Sequence, residues 1–166
     1  DNGNTGIGGE YVTTSNVSIT VVPHNDEIVL SCPTGYVTHE DSDLNITGIA
    51  INDDASLGEV YILNYSAQYG SIELKANNLT LNVEDGGNQY TLISASVSSV
   101  RDILEFGLLT YTPELNFNSY GTGVQEILQF SVSDKFGMHA TCSIRVNVIA
   151  VDDIAVFRVQ SEHVEF

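Results

Sequence analysis

The sequence predicts an all-β fold, a Greek-key β-sandwich of about seven strands, and three observations carry that expectation. Apolar and polar residues alternate with a period of two through most of the chain. Clusters of Asn, Asp and Gly interrupt the alternation at short intervals. Only 16% of the 166 residues are charged, too few for the salt-bridge-laced outer faces of surface helices.

In chain order, Val17, Ile19 and Val21 alternate with Ser18 and Thr20, which predicts a first strand. Segments 46–51, 60–65, 71–74, 79–83 and 90–96 have strand length and are rich in Val, Ile, Leu, Tyr and Thr. Segment 127–133 reads the same way, and Ile144, Val146 and Val148 alternate with Arg145 and Asn147. Turns are expected at Asn52-Asp53-Asp54, Asp85-Gly86-Gly87-Asn88, Tyr120-Gly121-Thr122-Gly123 and Phe136-Gly137. One segment breaks the pattern. From Ser98 to Leu104 a serine start precedes apolar residues at helical spacing, so one or two helical turns should cross between the sheets there. Val100, Ile103 and Leu104 would plug one end of the sandwich.

An internal repeat sets the domain organisation. Residues 18–22 lead into Asn25-Asp26-Glu27-Ile28-Val29-Leu30, and residues 145–149 lead into Asp152-Asp153-Ile154-Ala155-Val156-Phe157. The second copy starts 127 residues after the first, counted from Ser18 to Arg145, and apolar and acidic positions coincide. A period that long belongs to whole domains in tandem. Residues 1–25 should therefore be the last strands of one repeat, 26–152 a complete repeat, and 153–166 the opening of another.

Charge excludes several partners. The chain carries 22 acidic and 5 basic side chains, a net charge of −17. Five scattered cations cannot neutralise a phosphate backbone, so nucleic acid is excluded, and anionic membranes are disfavoured for the same reason. No apolar run reaches the roughly 20 residues of a membrane span. No basic-then-apolar leader opens the sequence at Asp1, so any signal peptide is expected to be absent or removed.

Cys32 and Cys142 lie outside any metal-binding spacing. They either pair, adding about 4–5 kcal/mol in the loop-entropy account, or stay as two buried thiols. Asn-x-Ser/Thr sequons fall at Asn16, Asn45, Asn64 and Asn78. The sequons, few lysines and an even cysteine count together predict an extracellular, oxidising location with N-linked glycans.

The residues resemble cadherin-like tandem repeats, in particular the divergent repeats of chondroitin-sulfate-proteoglycan and Fras-type proteins and of large surface proteins. Glu40-Asp41 followed by Leu44-Asn45-Ile46-Thr47-Gly48-Ile49 is similar to the opening of such repeats. Tyr69-Gly70-Ser71-Ile72-Glu73-Leu74 resembles their glycine hairpin, and Leu108 to Pro113 with Asn116-Phe117 resembles their L-x-Y-x-P-x-x-N-F segment. Phe130-Ser131-Val132-Ser133-Asp134 with Phe136-Gly137 resembles F-x-V-x-D-x-x-G, and Asp152-Asp153 stands at the linker. The resemblance implies a sandwich whose first and last strands lie side by side, which favours the Cys32–Cys142 disulfide. It implies a structural repeat of a long glycosylated filament, matrix or adhesion protein. Its partners would be neighbouring repeats, other copies of the same protein and glycans.

The resemblance also implies calcium at the joints. The matching residues are Glu40, Asp53, Asp54 and Asp134 with the linker pair Asn25 and Asp26, and Asp152 and Asp153 at the next joint. Calcium takes six to eight oxygens, so these carboxylates would have to converge. The sequence departs from the family here. The linker is short, no Asp-Arg-Glu tripeptide occurs, and the adjacent Asp53 and Asp54 would face opposite ways on a strand. Solubilising acidic loops are the simpler alternative.

No catalytic pattern emerges. His24, His39, His139 and His163 lack metal-ligand spacing, no nucleophile elbow occurs, and Glu84-Asp85-Gly86-Gly87 reads as a hairpin. The sequence is therefore expected not to be an enzyme. A carbohydrate-binding accessory module is the rival class, with Tyr61, Tyr65, Tyr69 and Tyr120 as its aromatic surface.

Overall fold

The computed structural model describes Ile7 and residues 12–22, 24–53, 59–75, 82–85 and 91–153. The chain builds β1 (Val29–Ser31), β2 (Gly35–His39), β3 (Leu44–Ile46) and β4 (Ala50–Asn52), then β5 (Val60–Ser66) and β6 (Gly70–Leu74). After these come β7 (Asn82–Asp85), β8 (Thr91–Ser96), helix α1 (Val97–Glu105) and β9 (Leu109–Pro113). A short helix α2 (Ser119–Thr122) precedes the closing hairpin of β10 (Glu126–Ser133) and β11 (His139–Ile149).

One layer is a six-stranded sheet in the order β2-β11-β10-β5-β8-β7. The other combines a three-stranded sheet, β3-β9-β6, with the β1-β4 pair. Early and late strands interleave, as a Greek-key path requires. The first strand, β1, pairs with β4 and not with the last strand as expected; it is the second strand, β2, that lies beside the last, β11, in parallel from Gly35–Arg145 to His39–Ile149. The two layers close on one apolar core, which takes Tyr61, Leu63, Phe130 and Val146 from the large sheet and Ile46 and Leu109 from the small one.

Alternation explains the large sheet. In β10 Leu128, Phe130 and Val132 point inward, and in β11 Ile144, Val146 and Val148 do so. Strict alternation fails between residues 46 and 51, where one strand was expected. Ile46, Ile49 and Ile51 are all buried, and Gly48 adopts a φ of 74° between them. That left-handed residue breaks the extended chain, so the segment serves two sheets, as β3 and β4.

Helix α1 is longer than the expected one or two turns and begins earlier. Its cap is Ser96, whose hydroxyl accepts from the backbone N–H of Ser99 at 3.2 Å, and not Ser98. Val97, Val100, Ile103 and Leu104 are its buried face, which seals one end of the core. Gly107 ends it at a φ of 71°, where a Cβ would stand 2.7 Å from the Thr47 methyl. The expected turn at 120–123 is instead the helical turn α2, capped by the Asn118 side chain, with left-handed Gly123 at its end.

The strand expected at 17–21 does not form within this sandwich. Residues 12–22 carry no ladder, and Val17, Ile19 and Val21 are 82%, 81% and 83% exposed. Every strand and helix among the described residues lies between Val29 and Ile149. Of residues 153–166, expected to open a next repeat, Asp153 is exposed and carries no ladder, and 154–166 lie outside the described residues.

Candidate functional site

Strand β11 gives the sandwich two poles. Its 11 residues, at a rise of about 3.4 Å each, separate the ends by roughly 35 Å. The hairpin turn of residues 134–138 marks the first pole, and the backbone bond from Glu40 N–H to Ile149 C=O, 3.0 Å, marks the second.

At the first pole, Asp134 continues the inward row of β10 and is 6% exposed. Its Oδ1 accepts from the backbone N–H groups of Phe136 at 2.8 Å and Met138 at 2.9 Å. Its Oδ2 accepts from the Asn25 side-chain amide at 2.7 Å. Burial by itself would raise the pKa of Asp134, but the bonds from Asn25 and from the turn's backbone outweigh it and hold the carboxyl below the usual aspartate value. Asp53 lies toward the same pole. Its carboxylate accepts from the Tyr61 hydroxyl, and its carbonyl accepts from Arg101 at 2.9 Å. Burial, then the Asp53 contact, drives the Tyr61 pKa far above the ordinary tyrosine value, so the hydroxyl stays a donor.

Glu40 belongs to the second pole. It is 7% exposed, and its two oxygens accept from Val151 N–H at 2.6 Å and the Asn118 side chain at 3.2 Å. Asp152 and Asp153 are exposed beyond it. The structure thus unites Asn25 and Asp134, places Asp53 toward them, and sends Glu40 to the opposite end. Asp26 is exposed, and Asp54 lies outside the described residues. Among the described residues no group of three or more His, Cys, Asp or Glu side chains could hold a metal ion. Asp134 and Glu40 stand at opposite ends of the sandwich, so these two carboxylates do not share one calcium cage.

Sequence reasoning missed Glu126, which is wholly buried. Oε1 accepts from the backbone N–H of Gln68 and of Ile127, both at 2.8 Å. Oε2 accepts from Tyr69 N–H at 2.7 Å and from the Tyr111 hydroxyl at 2.9 Å. Burial first, and the adjacent carboxylate second, push the Tyr111 pKa far up, so it too stays a donor. Glu126 thereby pins the β5–β6 turn to β9 and β10. The turn approaches closely because residue 70 is glycine: a Cβ there would sit 2.4 Å from the Thr112 carbonyl and 2.6 Å from the Tyr111 ring. The signal was readable, since Glu126 shares the inward phase of Leu128, Phe130 and Val132.

Cys32 and Cys142 form a disulfide with Cα atoms 5.9 Å apart, tying the β1–β2 connection to β11. The four tyrosines proposed as an aromatic surface do not make one. Tyr61 and Tyr65 are core residues, Tyr69 stacks on Phe117 at 4.7 Å, and Tyr120 projects alone. His24, His39 and His139 are exposed, and His163 lies outside the described residues. Glu84 and Asp85 stand on β7, opposite Leu92 and Thr91, just before the expected hairpin.

Sequons Asn16 and Asn45 are exposed, Asn64 is half-buried, and Asn78 lies outside the described residues. Asn64 faces outward from β5 in the middle of the large sheet. Ser131 of β10 is opposite it, and Thr141 of β11 is opposite Ser131. The next row is Ser66, Gln129 and Ser143. These six residues line an open depression of about 440 Å³.

Fold and site define a disulfide-clamped β-sandwich domain. No family model matches the chain, and no curated protein matches it. Among solved structures, the cohesin module from Clostridium perfringens ATCC13124 family 33 glycoside hydrolase aligns over 75% of this chain and 98% of its own. The identity is 13% and the TM-score 0.35, a likeness too distant to speak of activity or partners. Among the described residues, no helix is long and apolar enough to cross a membrane.

Proposed function

We propose that residues 26–152 are a structural repeat of a long, glycosylated extracellular filament, matrix or cell-surface adhesion protein of the cadherin-like kind. On this reading residues 1–25 close a preceding repeat and 153–166 open the next. One observation carries it. The inward triplet of β11, Ile144, Val146 and Val148, is at most 1% exposed, and its counterparts 127 residues earlier, Val17, Ile19 and Val21, are more than 80% exposed. Three β-branched residues at alternate positions are strand material. The position that the repeat would give this material, between β2 and β10, is held by β11. The disulfide supports the extracellular setting, since such bonds persist in oxidising compartments. The role is mechanical and the reading assigns no catalysis.

Matched substitutions in the full chain test this. Val146→Asp buries an unpaired charge in the core and should abolish the cooperative melt. Ile19→Asp should leave the midpoint within roughly 1–2 °C, as at an uninvolved surface site. A fall of many degrees for Ile19→Asp would place the segment inside this sandwich and end the tandem reading.

A further inference from the structure

We infer that the outer face of β5, β10 and β11 is a saccharide seat, filled by an N-linked glycan carried on Asn64. This rests on the extracellular placement proposed above. The chain carries 22 carboxylate side chains, yet none occupies an outward position of these three central strands. The face offers hydroxyls and amides instead: Asn64, Ser66, Gln129, Ser131, Thr141 and Ser143. Such groups both donate and accept, as sugar hydroxyls do, whereas carboxylates only accept. A neutral ligand covering these six residues desolvates no charge, since Arg145, the next outward residue of β11, stands beyond Ser143. The depression, about 440 Å³, falls within the about 300–1,000 Å³ of small-molecule clefts.

The attachment point stands in this face. Asn64-Tyr65-Ser66 is a sequon, and the Asn64 Nδ2 donates a long 3.4 Å bond to the Ser131 hydroxyl. Glycosylation joins Nδ2 to the anomeric carbon of a lipid-diphosphate-linked oligosaccharide. The anomeric C–O bond breaks, the diphosphate leaves with the bonding pair, and Nδ2 loses one of its two protons. The remaining N–H still reaches Ser131. From Asn64 a sugar crossing two strands, roughly 10 Å at the usual spacing, passes Ser131 and arrives at Thr141. A free oligosaccharide offers the same hydroxyl chemistry, so the experiment must separate the two sources.

The full chain would be secreted from eukaryotic cells and also made unglycosylated in a bacterial periplasm. Peptide mass spectrometry reads each sequon, and NMR reads the resonances of Ser131, Thr141 and Ser143. The expected result is an occupied Asn64, shifts at these residues relative to the bare chain, and a midpoint several degrees higher. Asn64→Gln should abolish both differences while leaving the glycans on Asn16 and Asn45. Occupied Asn16 and Asn45 with a bare Asn64 would overturn the seat and spare the extracellular reading. Bare sequons throughout would overturn both. An occupied Asn64 without shifts at Ser131 and Thr141 would also overturn the seat. Titration of the bare chain with a free oligomannose glycan covers the other source. Shifts there, with Asn64 bare in the secreted chain, would overturn the tethered assignment and give the face to an outside saccharide.

Discussion

Glu126 and Asp134 share the inward row of β10 with Leu128, Phe130 and Val132, and among the described residues neither makes an ion pair. Both carboxylates are satisfied by N–H and O–H donors, which offset the cost of taking a charge out of water. For Glu126 the acceptor set is the whole of the role. Glu126→Gln turns one acceptor oxygen into an NH₂ group facing N–H donors, and should cost about 2–4 kcal/mol. A shifted denaturant midpoint with unchanged slope would register it. Gly70→Ala should cost about 1–3 kcal/mol through overpacking against Tyr111 and Thr112. Asp134 makes a pH prediction. Its pKa is lower folded than in the unfolded reference of 3.8, so its contribution is complete above the unfolded value. That contribution is lost as pH falls through the lower folded value, where the unfolded state binds more protons. Asp134→Asn should therefore be less stable at neutral pH, and its midpoint should fall less steeply below about pH 4. Parallel acid melts of the two proteins would refute this.

Elements were legible where local pattern decided them. The period-two rows of 60–65, 127–133 and 144–148 became β5, β10 and β11 because each buries one face of a sheet. The β3–β4 break was not legible, since an apolar run of strand residues conceals a Gly48 turned left-handed by the packing of two sheets. The strand at 17–21 has the right pattern, but alternation says only that a strand fits, not which sheet it joins. For the site, the cysteine pairing followed from the resemblance. The split of Glu40 from Asp134 did not, because which pole a loop reaches depends on the parallel placement of β2 against β11. Helix α1 offers a test at this scale. Serines at 96, 98 and 99 all resemble caps in sequence, yet the hydroxyl of Ser96 alone accepts the helix's own N–H. Ser96→Ala should cost about 1 kcal/mol and Ser98→Ala less than about 0.5 kcal/mol, read from thermal or denaturant melts. Equal effects would move the cap.

For the whole molecule, calcium and force ask separate questions of the same architecture. Because Glu40 and Asp134 stand at opposite poles with their oxygens engaged, calcium and chelator should give the full chain the same melting midpoint. A site at 100 times its dissociation constant would add about 2.7 kcal/mol, a rise of several degrees that would place a ligand cage at a joint. Force acts on the connectivity. Tension applied from the two ends reaches Cys32 before β2, and the disulfide passes it to Cys142 inside β11. The residues between the cysteines are then shunted out of the load path and stay short even if the sandwich unfolds. With a sequence separation of 110 between the bonded residues and about 3.5 Å per extended residue, the shunt hides roughly 385 Å of contour. Single-chain pulling should therefore release that much more length in reductant than under oxidising conditions. Reduction also changes how the load enters: β2 and β11 are parallel neighbours pulled from opposite ends, so their ladder is sheared along its length rather than unzipped bond by bond. Equal contour lengths in the two conditions would show that the disulfide does not carry the load, and would remove the mechanical clamp from the proposed role.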